Sequence, residues 1–317
     1  MKNKIKLIRA VSALLTGLAL LLVVACGNVG GSDSSGSGGG SGPTITVGSK
    51  NFTEQFILGS MYAQALDANG FNGVAKLNLG SEKIADKALQ NGQIDLYPEY
   101  TGTSLVSILP YKKEEYPKTP KATYETARKL YAERKPADTM LKPASFLNTY
   151  GIFVRRKTAE DLNLHTLTDL AEASPNLTFV SYSEFQNRSD GYPNMKENYP
   201  ALDFKDIIIV NELGLRYQGL QNGNGDVGVG FTTDGQLTSN QLVVMKDTKN
   251  IFPQYYPAPV VRSEILKKYP KIEGILNEVT ASLDLKTMRE LNGQVDLDQE
   301  DPEDVAKQHL EDEGIID

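Results

Sequence analysis

Strand-like and helix-like segments alternate along most of this 317-residue chain. Thr44–Val47 alternates in the manner of a short strand, and apolar residues at helical spacing follow from Ile57 to Leu66. Strands that alternate with helices predict an α/β fold with parallel-rich sheets flanked by helices. The stretch from about 43 to 317 is long enough for two lobes of ordinary domain size.

The same patterns predict the remaining elements. Helices are expected at Ile84–Leu89 and in a stretch that ends near Ala173. Further strands are expected at Ile94–Tyr97, Tyr150–Val154, Thr178–Ser181, Ile207–Val210 and Asp226–Gly230. From Ser263 onward the chain is predicted to be largely helical, with an interruption at Leu291–Asn292 and with Pro302 in the first turn of the last helix.

The N-terminus has the features of an exported lipoprotein. A largely apolar stretch, Leu14–Ala25, follows four basic residues: Lys2, Lys4, Lys6 and Arg9. It is short for a membrane span, and small residues close it just before Cys26. These features predict a signal peptide over 1–25 that is cleaved before Cys26. Because Cys26 is the only cysteine, no disulfide can form within the chain, and its sulfur is available for a lipid.

Residues 26–43 are predicted to form a flexible tether. From Gly27 to Gly42 the chain is almost entirely Gly, Ser, Asn and Asp, which bury no core. Removal of residues 1–25 takes away four basic residues and no acidic ones, so the formal charge moves from −7 to −11. Such an acidic surface argues against a nucleic-acid partner. No second apolar run approaches the roughly 20 residues that span a bilayer.

The sequence offers little for catalysis. Its two histidines, His165 and His309, lie far apart and belong to no His-Glu-x-x-His pattern. It contains neither a Gly-x-Ser-x-Gly elbow nor a Walker loop, and Cys26 is expected to carry lipid. The acidic run Asp298–Asp304 is typical of a solvated face rather than of a metal site. We therefore expect a non-enzymatic protein without metal or cofactor.

Aromatic residues are concentrated in loops near the ends of predicted strands. Ligands in such sheets lie at the carboxyl ends of the strands, which are followed here by Gly48–Phe52, Pro98–Thr103 and Phe231–Gly235. Six loop aromatic residues stand out in a chain without tryptophan: Tyr100, Tyr150, Tyr217, Phe231, Tyr255 and Tyr256. Three or four rings around a cavity suit a methylated cation, because ring faces carry negative potential. Alternatively, each tyrosine is a half-buried packing residue.

Several motifs of the chain resemble those of one family. They are Lys50-Asn51-Phe52-Thr53-Glu54-Gln55, the segment Gly92–Thr103 with its Tyr-Pro-Glu-Tyr-Thr-Gly-Thr run, Asn148-Thr149-Tyr150 and Thr233-Asp234-Gly235. Together with the ending from Leu291 to Ala306, they are similar to the substrate-binding lipoproteins of osmoprotectant (glycine betaine/carnitine/choline) ABC importers. The similarity covers essentially the whole mature chain in order.

This resemblance implies a bilobed periplasmic-binding-protein fold, type II-like, with a hinge that lets the lobes close on the ligand. It also implies an aromatic box, made mostly of tyrosines, around a quaternary nitrogen. The box residues would be Tyr100, Tyr150, Phe231 and Tyr255. The family leads us to expect tyrosine at the third position, so Phe231 keeps a ring face but lacks one hydroxyl. Tyr217 could compensate, although its apolar helical context favours packing.

The resemblance further implies a clamp for the ligand's carboxylate: Lys50, Thr103 and Arg188. Arginine suits this task because its planar fork donates two parallel hydrogen bonds. Alternatively, Arg188 forms an ion pair with Asp190 or Glu184, and Lys50 is a solvated loop residue. Two further candidates could each cap a helix or hold a hinge instead: Gln55 and Asn148.

Lobe I would comprise 44–147 and 256–317, and lobe II 148–255, with crossovers near Asn148 and Tyr255. The expected partners are a small quaternary-ammonium ligand, the importer's transmembrane subunit, and the cell membrane on its extracytoplasmic side through the lipid on Cys26. A monomer is expected. Two alternatives stay open: a binding protein of the same fold for another small solute, such as an amino acid or a polyamine, and a surface-anchored hydrolase of choline esters.

Overall fold

The computed structural model describes residues 41–112, 115–238 and 241–317, so the predicted signal peptide, Cys26 and residues 27–40 lie outside the described residues. The strands are β1 (Thr44–Gly48), β2 (Asn72–Lys76), β3 (Leu96–Tyr100), β4 (Asp138–Met140), β5 (Tyr150–Arg155), β6 (Thr178–Ser181), β7 (Asp206–Ile209), β8 (Val227–Phe231), β9 (Leu242–Val244) and β10 (Pro257–Arg262).

The helices are α1 (Thr53–Ala68), α2 (Glu82–Gln90), α3 (Thr101–Thr103), α4 (Pro120–Glu133), α5 (Arg156–Asp161), α6 (Leu167–Ala173), α7 (Ser183–Asn187), α8 (Tyr192–Asn198), α9 (Leu213–Gln221), α10 (Ser263–Lys268), α11 (Lys271–Ala281), α12 (Leu285–Asp296) and α13 (Pro302–Asp312). Shorter helical turns cover Ser104–Ile108, Ser174–Asn176 and Gly235–Thr238. Among the described helices, none has the length and apolar character needed to cross a bilayer.

The described strands form two five-stranded sheets of the same design. In the first sheet, ordered β2-β1-β3-β10-β4, β1 pairs in parallel with β2 and β3, while β10 runs antiparallel to β3 and β4. In the second sheet, ordered β7-β6-β8-β5-β9, β6 pairs in parallel with β7 and β8, while β5 runs antiparallel to β8 and β9. Each sheet is therefore mixed. The predicted parallel pairs are present beside an antiparallel half that the strand-helix alternation does not indicate.

Helix α1 is central to the core on one side of the first sheet. Its side chains Ile57, Met61, Tyr62 and Leu66 are fully buried, and the helix packs against α11, α12 and α13. Burial of one such aliphatic side chain contributes about 1.5–3 kcal/mol. Because α1 starts directly after the loop that follows β1, this packing fixes the position of that loop at the carboxyl edge of the sheet.

Helix α12 contradicts the predicted interruption at Leu291–Asn292, since it continues through both residues. Asn292 is buried, and its Nδ2 donates to the Thr233 carbonyl at 2.9 Å and to Glu54 Oε2 at 3.3 Å. An asparagine in a helix competes for local backbone groups unless its side chain has other partners. Here the Asn292 side chain bonds to Thr233 and Glu54 instead of to the local backbone, so the helix is not broken.

Helix α12 also contacts the turn that follows β8, a strand of the second sheet, and the described residues form one compact unit. Arg289 Nε donates to the carbonyl of Thr232, just after β8, at 2.7 Å. Nearby, a Cβ added to Gly235 would lie 2.5 Å from backbone atoms of Gly293. Position 235 therefore has no space for a side chain, and the turn after β8 lies directly against α12.

Candidate ligand-binding site

A cavity of about 500 Å³, within the usual range of small-molecule sites, opens where loops of both sheets meet. Most of the predicted site residues line it: Lys50, Tyr100, Thr103, Asn148, Tyr150, Arg188, Phe231 and Tyr255. Gln55 is not among the lining residues. It is fully buried, and its Oε1 accepts a 3.2 Å hydrogen bond from the backbone N–H of Lys50. Gln55 therefore supports the loop that carries Lys50.

The antiparallel strands explain how box residues distant in sequence reach one edge. Tyr150 begins β5 and pairs with Phe231 at the end of β8. In the first sheet, Pro257 begins β10 and pairs with Tyr100 at the end of β3, with Tyr255 just before it. An antiparallel strand starts where its neighbour ends. Each returning strand therefore brings an aromatic residue to the carboxyl edge of the parallel strands.

Three of the predicted box residues meet at Tyr150. The Tyr150 ring centroid lies 5.8 Å from that of Phe231, in a stacked arrangement, and 5.7 Å from that of Tyr255, in a T-shaped one. Such offset and edge contacts are the ones that aromatic quadrupoles favour. Tyr100, Tyr150 and Tyr255 are also buried. The rings consequently form a largely buried aromatic wall with contributions from both sheets.

Carboxylates hold two of the rings from outside the cavity. Tyr100 Oη donates to Glu54 Oε1 at 2.7 Å, and Tyr255 Oη donates to Asp190 Oδ2 at 2.5 Å. Glu54 Oε1 also accepts from Asn148 Nδ2 at 2.8 Å, so Asn148 helps to place the Tyr100 ring. Burial, reinforced by these carboxylates, raises the pKa of both tyrosines well above the usual value. Their hydroxyls therefore remain protonated donors.

Three aromatic residues that the sequence reasoning did not assign to the site also line the cavity: Phe52, Phe56 and Tyr182. Two of them, Phe52 and Tyr182, lie close to rings of the predicted box. The Phe52 ring stacks between Tyr100, at 6.2 Å, and Phe231, at 5.4 Å between centroids. Tyr182 directly follows β6, and its ring centroid is 6.5 Å from that of Phe231. Both residues lie in loops just after a strand, and this position is the signal that could have identified them.

Carboxylates contact Arg188 from two directions. Arg188 Nε and Nη2 donate to the two carboxylate oxygens of Asp190 at 2.9 and 2.6 Å. Arg188 Nη1 lies 3.3 Å from Glu82 Oε1, at the start of α2 in the other half of the chain. Burial lowers the pKa of Arg188, but Tyr150, Asp190 and Glu82 outweigh it and raise the pKa well above its usual value. Arg188 is therefore a permanent cation on the cavity wall.

Lys50 is the second buried cation. It is only 4% exposed, which excludes the solvated-loop alternative. Its Nζ lies 2.5 Å from Glu99 Oε1 and 4.3 Å from the centroid of the Tyr100 ring. Burial lowers the pKa of Lys50 and raises that of Glu99, while the attraction between the two groups opposes both shifts. Lys50 thus supplies a partly neutralised cation close to one box residue.

Tyr217 and Tyr256 are not among the lining residues. The Tyr217 ring stacks on Phe153 at 4.6 Å, and its hydroxyl donates to Asp234 Oδ2 at 2.7 Å. Tyr217 is therefore a buried packing residue beneath the turn after β8 and does not replace the hydroxyl that Phe231 lacks.

Ring faces together with buried cations suit a small ligand that carries both a positive and a negative charge. A family model described as "Substrate binding domain of ABC-type glycine betaine transport system" matches residues 43–312, which is most of the chain. The chain belongs to this family. Members of this substrate-binding family serve a transporter, so the role is binding and not catalysis.

Individual relatives of this substrate-binding family agree with the match. The chain is 34% identical to the glycine-betaine-binding protein of Pseudomonas aeruginosa over 86% of this chain and 89% of that protein. It is 32% identical to the carnitine transport binding protein OpuCC of Listeria monocytogenes over 87% and 89% of the two chains.

A solved structure also supports this assignment. A crystal structure titled as a glycine betaine/carnitine/choline ABC transporter aligns with a TM-score of 0.72 at 27% identity and covers 87% of this chain and all of that one. The predicted family and the predicted bilobed α/β fold class are thereby confirmed.

Proposed function

We propose that this chain is the extracytoplasmic solute-binding protein of an ABC importer and that it captures glycine betaine or a related quaternary-ammonium osmoprotectant. Related ligands are carnitine, proline betaine and choline. The trimethylammonium head would contact the aromatic box of Tyr100, Tyr150, Phe231 and Tyr255. The carboxylate would contact Lys50, Thr103 and Arg188. The observation that carries the proposal is that rings and buried cations line one cavity.

Quaternary ammonium and aromatic rings are matched in chemistry. The head of such a ligand has no N–H group to donate, so hydrogen-bond acceptors gain little from it. Ring faces attract it electrostatically, with a contribution from each ring of about 0.5–2 kcal/mol that grows as water is excluded. Tyr150, buried and in contact with both Phe231 and Tyr255, is where several of these contributions would add.

The proposed carboxylate clamp has to compete with the protein's own carboxylates. Arg188 is already bound by Asp190 through two hydrogen bonds, and Glu82 makes the longer contact of 3.3 Å. A ligand carboxylate would therefore take the place of Glu82 more readily than that of Asp190. The ligand carboxylate would gain charge-assisted hydrogen bonds from Arg188 in place of the longer contact with Glu82.

Titration calorimetry of the mature protein with glycine betaine, carnitine, proline betaine and choline tests the proposal directly. Tyr100→Ala, Tyr150→Ala and Tyr255→Ala should each weaken binding by about 1–3 kcal/mol, because each removes a desolvated ring face from the cage. Tyr269→Ala is a matched control, since Tyr269 makes a T-shaped contact with Phe71 and is not among the residues that line the cavity.

Thermal melting would show whether each variant is folded. The cage assignment would be wrong if the three box variants bound the ligand as tightly as the parent. It would also be wrong if Tyr269→Ala lost as much affinity as they did, because a general loss of packing would then explain the result.

The rival solute-binding function has a specific observation in its favour. Glu82 and Glu184 line the cavity and could receive a primary ammonium group. An amino acid and a diamine therefore belong in the same titration series. Tighter binding of either than of all four quaternary amines would favour the rival. The choline-ester hydrolase is tested separately by incubation with acetylcholine, for which we expect no release of acetate.

We further propose that a lipid on Cys26 anchors a monomer to the cell membrane, where the importer's transmembrane subunit receives the ligand. The lobes of the proposal are 44–147 with 256–317, and 148–255. Strand membership supports this division, because β10 pairs with β3 and β4, whereas β5 to β9 make up the other sheet. Sedimentation analysis of the soluble mature protein checks the monomer.

A further inference from the structure

Four aromatic rings form a column across the cavity in the order Tyr100, Phe52, Phe231 and Tyr150. Successive centroids are 6.2, 5.4 and 5.8 Å apart, and successive ring planes are inclined by 21°, 23° and 24°. These are the separations of directly packed aromatic pairs. A trimethylammonium group does not fit between neighbouring rings at these distances. The column must therefore open before a head group can lie between two of its faces.

Phe52 occupies the place in this column that best suits a cation. A ring attracts a cation that lies within roughly 6 Å of its centroid. The centroid of Phe52 is 6.2 Å from that of Tyr100 and 5.4 Å from that of Phe231, and these two rings end strands of different sheets. A quaternary nitrogen at the position of the Phe52 ring would contact both faces at once.

Hydrogen bonds fix the backbone of Phe52, whereas only packing holds its ring. The Phe52 carbonyl accepts hydrogen bonds from the N–H groups of Gln55 and Phe56, at 3.0 and 3.2 Å, at the start of α1. The side chain is only partly buried, and it contacts the rings of Tyr100 and Phe231 without any polar anchor. Rotation to another staggered conformation would remove the ring from the column without unwinding α1.

The same loop also places a charge beside the column. Lys50 Nζ is 4.3 Å from the Tyr100 centroid and 5.8 Å from that of Phe52. Lys50 and Phe52 together present a cation and an apolar surface to Tyr100. A methylated ammonium head combines both of these properties.

We propose that Phe52 is an internal stand-in for the ligand's head group, an inference that rests on the function proposed above. Its ring fills the empty box between Tyr100 and Phe231 and gives way to the quaternary ammonium. A ligand must therefore recover the contacts of the displaced ring before it gains affinity. Phe52 thereby sets a threshold that weakly bound amines do not pass.

Calorimetric titration with glycine betaine tests this role. Phe52→Ala should bind glycine betaine roughly tenfold tighter than the parent, which corresponds to about 1.4 kcal/mol. Phe52→Leu, which keeps an apolar side chain but has no ring face, should change affinity in the same direction. Phe204→Ala is the matched control: Phe204 is also partly buried and stacks on a ring, that of Phe179, but it is not among the residues that line the cavity, so its loss should leave the affinity unchanged.

The outcomes separate this inference from the proposed function. If the parent binds glycine betaine and the two Phe52 variants bind it equally or more weakly, Phe52 is an ordinary wall or a bystander, and only the inference fails. If neither the parent nor the variants bind any of the four quaternary amines, the proposed function fails with it. Thermal melting identifies a misfolded variant, and Phe52→Leu then decides the question if Phe52→Ala does not fold.

Discussion

Arg188 and Glu82 form the most replaceable charged contact of the cavity. Their 3.3 Å separation is longer than both hydrogen bonds from Arg188 to Asp190. Burial raises the pKa of Glu82, but Arg188 and Lys50 outweigh it and lower the pKa, so Glu82 stays ionised. The carboxylate of a bound ligand would replace the Glu82 carboxylate at Arg188, so one anion would be exchanged for another. Choline has no carboxylate, so it leaves Glu82 in place and adds a positive charge.

We therefore expect carboxylated ligands to bind at least roughly tenfold tighter than choline, or about 1.4 kcal/mol. Arg188→Ala should remove most of that difference by weakening glycine betaine, because Arg188 donates the charge-assisted hydrogen bonds to the carboxylate. Parallel titrations of glycine betaine and choline with parent and variant give both numbers.

Two further variants test the charge of the proposed clamp. Glu82→Gln keeps the size of the side chain but removes the competing charge, so glycine betaine should bind at least as tightly as to the parent. Thr103→Asp places a carboxylate in the clamp and should shift the preference toward choline. A parent protein that binds choline as tightly as glycine betaine would remove Lys50 and Arg188 from the proposed clamp.

The turn after β8 contains a carboxyl group that should couple stability to pH. Asp234 Oδ2 accepts hydrogen bonds from the Phe231 N–H at 2.8 Å and from Tyr217 Oη at 2.7 Å. Burial raises the pKa of Asp234 to about 7, against the opposing effect of these donors. The folded protein therefore keeps a proton on Asp234 that the unfolded chain loses near pH 4.

From this difference we expect the contribution of Asp234 to stability to fall as the pH rises from about 4 to about 7, by roughly 4 kcal/mol at most. Below this window both states are protonated, and above it both are ionised. Asp234→Asn cannot titrate, so its free energy of unfolding should vary less with pH than that of the parent. Urea unfolding at several pH values measures both slopes, and equal slopes would contradict the assignment.

Strand and helix boundaries show where local sequence was sufficient. The strand predicted at Thr178–Ser181 is observed unchanged, because its alternation and burial are local properties. Strand β10 was not predicted, since prolines count against a strand with neighbours on both sides. The carbonyls of Pro257 and Pro259 accept hydrogen bonds from the N–H groups of Ala144 and Leu141, respectively. These bonds need only the proline carbonyls, so the missing proline N–H groups do not prevent them.

The cavity residues divide in a similar way. Residues such as Tyr100 and Arg188 could be named from motifs because a motif keeps its place in the chain. Of the anions that neutralise the cations, Asp190 could be named because it lies two residues from Arg188. Glu82 and Glu99 could not, since they reach Arg188 and Lys50 only through the packing of separate elements. Sequence thus indicated most of the predicted residues that line the cavity, but it missed aromatic residues such as Phe52 and Tyr182 and the full charge balance of the site.

For the whole molecule, the predicted lipid at Cys26 makes attachment and binding separable. Cys26→Ser should release the protein from the membrane fraction without changing its affinity for glycine betaine, because the predicted Gly/Ser-rich tether would separate the predicted lipid from the binding body. Detergent-free fractionation of cells, followed by titration of the released protein, measures both effects. A serine variant that stayed with washed membranes would contradict lipid anchoring at this residue.

The box has walls from both sheets, with Tyr100 at the end of β3 and Tyr150 at the start of β5. A guest between such walls acts as a spacer that fixes how far apart the sheets stand. We expect the same spacing to set the distance between exposed residues of the first sheet and exposed residues of the second. A membrane partner that contacts only the outer surface would then distinguish the bound from the free protein by this distance, without any contact with the solute.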